Sequence, residues 1–307
     1  MNLLTKTKAL ADETRLRLLG VLACHELNVG EIVQVMGMGQ SRISRHLKIL
    51  MDAGFVTCQR NGQWAFYSAK ADNGAQPLVH AVLTGLAEMP AHRGDLDLAA
   101  QVLSDRRTST VRFFDEIAAD WNRLSREVLG EFDLNRAIRD RLRERGTVVD
   151  LGCGPGHLLE GLADGAGRVM GVDNSPRMLE AASRHLPEGE GVSLRLGDLE
   201  HLPLRDAEAD AAIMSMVLHH LSSPQAGIAE MGRVVRRGGQ VVVADFCIHG
   251  NEIMRTRYGD RWLGFAPDDL KGWMTRAGFQ EEACERFPVN MGLAVLLVTA
   301  RRAQSSN

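Results

Sequence analysis

The clearest periodicity in the chain lies between Val29 and Gly54, where two short helical patterns are separated by Gly37-Met38-Gly39. In the second pattern Ile43, Leu47, Leu50 and Met51 recur at i, i+4, i+7 and i+8, the stripe that faces a core. Ser41, Arg45 and Lys48 fall on the opposite side, with Arg42, Ser44 and His46 beside them. The pair predicts a helix-turn-helix whose second helix is apolar on one face and suited to phosphates and base edges on the other. Arg42, Arg45 and Ser41 are the candidates for base edges, because arginine donates to guanine and a serine hydroxyl serves either edge. A solvated surface helix carries the same polar side, so the next segment matters. FVTCQRNGQWAFYSA places strand-like runs on either side of Asn61-Gly62, the strongest short-range hairpin signal. It predicts a wing with a type I′ turn at Asn61-Gly62 and with Arg60 beside its tip, in reach of a phosphate or the minor groove.

The pattern changes further on. Residues 90–108 are polar and read as a connection, 109–145 have helical periodicity, and from Thr147 strands and helices alternate, predicting an α/β domain with a mostly parallel sheet. The first strand ends at Asp150 and is followed by Gly152, Gly154 and Gly156 before a helix near His157. Glycines there let a ligand approach the backbone, and the helix N-terminus is positively polarised. The dinucleotide fingerprint needs Gly-x-Gly-x-x-Gly, and His157 stands where its third glycine belongs. The second strand ends in Asp173-Asn174 and the third in Gly197-Asp198-Leu199. A carboxylate at position 173 can accept both ribose hydroxyls of a nucleoside, and one at 198 an adenine amino group. Taken singly each acid reads as a helix cap or turn residue. Three at the ends of consecutive strands fall where open α/β sheets bind ligands. Cys153 reads as a small packing residue.

Length and charge sharpen this. At 307 residues the chain fits two domains, each near the usual ~150 residues. It is 45% hydrophobic and 24% charged, with no apolar run near the ~20 residues of a membrane span and no signal-peptide order at its start, so a cytoplasmic location is expected. The five cysteines, Cys24, Cys58, Cys153, Cys247 and Cys284, are scattered and never form Cys-x-x-Cys, which argues against a disulfide framework or zinc ribbon. Residues 1–95 carry ten Lys or Arg against eight Asp or Glu, a net of +2 within a chain of net charge −3. Such a balance suits nucleic acid only when concentrated on one face.

The first ~90 residues resemble the ArsR/SmtB family of bacterial repressors, through LADETRLRLLGVL, ELNVGEIVQVMG, QSRISRHLKILMDAGFV and the wing. The resemblance implies a winged helix-turn-helix that dimerises through terminal helices, here residues 2–11 and 77–90, on a palindromic operator. Where many members carry metal-binding cysteines, this chain has Glu26-Leu27-Asn28-Val29-Gly30, and its last helix region offers only Asp72 and His80. No metal is therefore expected.

Residues 109–307 resemble class I S-adenosylmethionine-dependent methyltransferases through Val149 to Gly156, Gly171 to Ser175, Gly197-Asp198, and Met214 to Leu221. The resemblance implies a seven-stranded sheet ending in an antiparallel hairpin from FQEEACERF and GLAVLLVTARR. It also implies backbone from Gly152 to Gly156 along the methionine moiety, Asp173 on ribose, Met178 beside the nucleoside, Asp198 on adenine and Trp121 closing the site. Asp150, Asn174, Gly197, Leu199 and Ser215 complete the expected nucleoside-binding set. The fold class expected is thus an α+β winged helix-turn-helix domain, 1–89, then a linker, 90–108, then an α/β Rossmann-like methyltransferase domain, 109–307.

Three functions compete. The first is an operator-binding regulator, in form a repressor and a homodimer, whose affinity depends on S-adenosylmethionine or S-adenosylhomocysteine. A subgroup of such fusions resembles S-adenosylhomocysteine-responsive regulators of methionine-cycle genes. The second is an active small-molecule methyltransferase with an autoregulatory DNA-binding domain, in which His219, His220 or His249 would be the general base and the segment 249–270 would build the acceptor pocket. In the third the front domain only dimerises, which Arg42, Arg45, Lys48 and Arg60 on one surface argue against.

Overall fold

The computed structural model describes residues 3–61, 64–70, 76–87, 89–144, 146–163, 165–186 and 191–304. They form two compact units, 1–106 and 107–307.

In the first unit, helices Leu3–Leu10 and Glu13–Cys24 precede the helix pair Val29–Met36 and Gln40–Asp52. Asn28 caps the Val29–Met36 helix reciprocally: its side chain accepts from the Glu31 amide at 3.1 Å, and Glu31 accepts from the Asn28 amide at 2.8 Å. Gly37 ends that helix at φ +61°, a left-handed turn that glycine adopts without a Cβ penalty. Ile43, Leu47 and Leu50 are fully buried with Leu18, Leu19, Ile32 and Phe55, so one side of the second helix is spent on the core. Strands β1 (Leu27–Asn28), β2 (Val56–Asn61) and β3 (Trp64–Ala69) form an antiparallel sheet in the order β1-β3-β2. Its ladder pairs Asn61 with Trp64, so Asn61 belongs to the strand rather than to the turn expected at Asn61-Gly62. Gly62 and Gln63 lie outside the described residues, as does Asp72.

The segment 90–108 is not a linker. It belongs to a helix, Pro90–Ile117, whose residues through Arg106 group with the first unit. Ala99 is fully buried in that unit's core, and two charged residues anchor the helix. Asp95 accepts both guanidinium arms of Arg17 at 2.6 and 2.7 Å, and Arg106 donates two bonds to Glu31 at 2.5 and 2.8 Å. The polar sequence hid these pairings because the partners lie 78 and 75 residues away.

In the second unit, short helices over residues 118–141 lead into β4 (Thr147–Leu151), β5 (Arg168–Asp173), β6 (Val192–Leu196), β7 (Ala209–Ser215), β8 (Val235–Phe246), β9 (Phe279–Pro288) and β10 (Ala294–Arg302). They form one sheet in the order β6-β5-β4-β7-β8-β10-β9. The first five pair in parallel and β10 runs antiparallel to both neighbours, a Rossmann-like methyltransferase fold with the expected terminal hairpin. Strand β8 is buried continuously from Gly239 to Phe246, as a central strand of such a sheet must be. The strand order reverses between β4 and β7, which opens a crevice at their carboxyl ends. No helix among the described residues is long and apolar enough to cross a membrane.

Candidate functional site

In the first unit Ser41, Arg42, Ser44, Arg45 and Lys48 are exposed along the Gln40–Asp52 helix, opposite its buried stripe. His46 departs from the expected set. Its side chain is 15% exposed and its Nδ1 lies 3.7 Å from Asp12, the residue that caps the Glu13–Cys24 helix. It faces a neighbouring helix, so it is a packing residue rather than a member of the polar face. Arg60 is in β2, but its side chain lies outside what is described. His80 is exposed on the helix Gln76–Leu86, with no ligand set formed around it among the described residues.

In the second unit a cleft of about 670 Å³ opens at the carboxyl ends of β4, β5 and β7. Its floor is the loop after β4. Gly152 and Gly154 take φ of +84° and +51°, a backbone path that L side chains rarely adopt, and Gly152 donates to Val172 at 2.7 Å. Asp173, the last residue of β5, accepts from the Gly154 amide through Oδ2 at 2.8 Å and from the Ser175 amide through Oδ1 at 2.9 Å. Burial pushes the Asp173 carboxyl above its usual range, while these amide bonds pull the other way. Asn174, Met178 and Ser215 line the same cleft, as do Asp198 and Leu199 after β6. Trp121 forms one wall, packed edge-on against Phe114 at 5.9 Å between ring centres.

Three residues expected in the cleft do not line it. Asp150 is 2% exposed, and its carboxyl is pushed up to about 7 by burial and the nearby Asp173 charge. A Cβ at Gly156 would come within 3.0 Å of Ala182, and one at Gly197 within 2.5 Å of Pro203, so both glycines permit close packing behind the cleft.

Other residues of the wall were not among the expected site residues: Thr110, Phe114, Glu200, Met216, Val217, Leu221 and Ser222. Met216 carries the clearest signal, but it is conformational: φ is +57°, a strained value for an unbranched non-glycine residue at a strand end. The histidines separate. His220 lines the cleft and packs edge-on against Phe114 at 4.7 Å, and burial holds it well below its ordinary pKa. His219 is 3% exposed and bonded through Nδ1 to Asp245 at 2.7 Å. Burial opposes its charge, but Asp245 and Asp260 outweigh burial and hold it up to about 9. His249 lines neither this cleft nor the cavity beside it, and burial lowers it to about 4.

Comparison with known proteins accords with this division. Residues 12–57 match the family described as bacterial regulatory protein, arsR family, and residues 149–243 match the methyltransferase domain family. The chain is 41% identical over 102 residues to an uncharacterized 37.1 kDa protein in transposon TN4556 of Streptomyces fradiae, covering 32% of this chain and 30% of that one. It is 34% identical over 149 residues to a tRNA U34 carboxymethyltransferase of Shewanella loihica, covering 45% of each. The matches thus span less than half the length of these relatives. Among solved structures, a SAM-dependent methyltransferase of Thermotoga maritima superposes with a TM-score of 0.51 at 21% identity, over 62% of this chain and 99% of that one, a likeness of fold.

Proposed function

We propose that this chain, an arsR-type DNA-binding domain joined to a methyltransferase domain, is a transcription regulator whose operator affinity is set by S-adenosylmethionine or S-adenosylhomocysteine. The observation that carries the reading is the Asp173 carboxylate. It ends a parallel strand inside the cleft at the carboxyl ends of the strands and is already oriented by two backbone amides. A ribose diol offers two donors to such a group. Asp198 accepts the adenine amino group, Met178 packs against the nucleoside, and the glycine loop runs beside the methionine tail. In the first unit Arg42, Arg45 and Ser41 read bases while Ser44 and Lys48 hold phosphates, on DNA bound by a dimer in the cytoplasm.

A ligand changes operator affinity only by binding the DNA-competent and incompetent states unequally; a coupling of about 2–3 kcal/mol corresponds to a shift of tens to hundreds of fold. The test is fluorescence anisotropy of labelled DNA from upstream of the chain's own coding region at fixed salt, with either ligand or none. A shift of tenfold or more in one ligand state, lost in Asp173→Ala, supports the reading. DNA binding indifferent to both ligands removes it.

A second reading, methyl transfer to a small acceptor, draws on a further cavity of about 440 Å³ that shares Trp121, Met216 and His220 with the cleft. The acceptor's lone pair would displace S-adenosylhomocysteine from the methyl carbon as the acceptor proton leaves. Alignment of the two reactants supplies much of such a step's acceleration. Turnover of the methyl donor without DNA distinguishes this reading from the first.

A further inference from the structure

Three chain segments bring their polar groups to one dry point beside the smaller cavity. His219 and His220 sit in the short helix Leu218–His220 after β7, Asp245 near the end of β8, and Asp260 after the helix Ile253–Tyr258. One ligand-capable atom from each of His219, His220 and Asp260 lies within 4.8 Å of the others, all three residues are buried, and no other such group occurs among the described residues.

Each histidine has one ring nitrogen fixed from behind. His219 Nδ1 meets Asp245 Oδ1 at 2.7 Å, and His220 Nδ1 meets the Gly259 carbonyl at 3.2 Å. A carboxylate or carbonyl behind the ring is the outer support that metal-ligating histidines regularly carry, because it fixes the ring and raises the basicity of the other nitrogen. His219 Nε2 points to Asp260 Oδ1 at 3.7 Å, slightly beyond the ~3.0–3.5 Å that separates neighbouring ligands on a four- or six-coordinate ion. The Asp260 side chain is 1% exposed and neither of its oxygens has a hydrogen-bond partner. A buried carboxylate with both oxygens unsatisfied is costly. The charge of His219, and more weakly that of Arg255, offsets part of that cost, while Asp245 adds to it.

We infer that His219, His220 and Asp260 form a binding site for one divalent transition-metal ion, with Asp245 and the Gly259 carbonyl orienting the two imidazoles. The inference stands apart from the nucleoside reading. Two imidazoles and one carboxylate suit iron, manganese, cobalt or zinc and leave coordination positions free. All three ligands line the 440 Å³ cavity, whose other walls are mostly apolar, including Leu124, Val128 and Met254, with Ser125 and Tyr258 as the polar exceptions. The free positions face that space, so the site takes an apolar molecule with one oxygen donor. The expectation of no metal had rested on the first domain's lost thiols, and these ligands lie in the second.

The test uses the full chain without a polyhistidine tag, stripped with chelator and titrated with Co²⁺ alone. The site predicts one equivalent bound, with a visible ligand-field absorption band. Asp260→Asn and His220→Gln, each checked for folding by circular dichroism, are expected to bind at least tenfold more weakly and to lose the band. Asp245→Asn is expected to weaken binding by roughly 10–100-fold, as loss of an outer-shell carboxylate does. Failure of the stripped wild type to bind Co²⁺ at one equivalent overturns the site. So does equal binding by wild type and whichever ligand variant folds.

Discussion

Asp173 and Gly154 are joined by a 2.8 Å bond from the glycine amide to the carboxylate, which ties the end of β5 to the turn after β4. The acid that is to meet a ribose therefore also sets the loop that is to meet the ligand's tail. Asp173→Asn keeps an acceptor for one amide but loses the charge, and charged hydrogen bonds contribute about 1.5–3 kcal/mol each. Isothermal titration is expected to show S-adenosylhomocysteine binding weakened by at least tenfold, with the unfolding midpoint less affected than in Asp173→Ala.

Gly152 lies at φ +84°, and a Cβ there would come within 2.4 Å of Val217. Gly152→Ala combines backbone strain with overpacking, and a loss of about 2–4 kcal/mol in urea unfolding is expected. Gly154 has the same handedness with open space around it, the nearest atom to such a Cβ being Trp121 Nε1 at 4.0 Å. Gly154→Ala is expected to cost less stability and more ligand affinity, because the methyl group enters the cleft.

The exposed face of the Gln40–Asp52 helix separates into roles that salt can distinguish. Arg45→Ala is expected to cost about 1–3 kcal/mol on the preferred operator and to relax specificity at one position. Lys48→Ala is expected to weaken all DNA alike and to lower the slope of log K against log salt by about one. His46→Ala, at a residue packed on Asp12, is expected to lower stability without changing that slope.

How far the sequence exposed these features depended on whether the cause was local. The stripe Ile43, Leu47, Leu50 and the polar face opposite it were legible, because helical period alone decides them. The strand-end acids Asp173 and Asp198 were legible for the same reason: a strand, a turn and a helix start are each short-range patterns. What stayed hidden depended on partners far along the chain. His46 lies 3.7 Å from Asp12, and the polar stretch 90–106 joins the first unit through Ala99 in its core and through Arg17 with Asp95 and Glu31 with Arg106. Gly156 and Gly197 look like their ligand-facing neighbours in sequence, yet Ala182 and Pro203 press on them from behind. The cluster of His219, Asp245 and Asp260 draws on three separate segments, so no motif announced it.

Glu26 supplies a pH test in the first unit. Burial, opposed by the charge of Arg106, pushes its carboxyl from 4.5 to about 7. Between those values the folded chain keeps a proton that the unfolded chain has released, so raising the pH across that window destabilises the native state. The stability contribution is fully present below 4.5 and lost by about 7. Urea unfolding followed across this window is expected to show a decline of about 1–3 kcal/mol from this residue, allowing for residual solvent. Glu26→Gln should flatten that part of the profile.

Coupling between nucleoside and DNA binding is reciprocal. The most direct measurement is S-adenosylhomocysteine and S-adenosylmethionine affinity by titration calorimetry, with and without saturating upstream DNA. DNA is expected to change the Kd of one ligand by tenfold or more, by the same factor as that ligand changes the Kd for DNA. Identical nucleoside affinities in the presence and absence of bound DNA would contradict it.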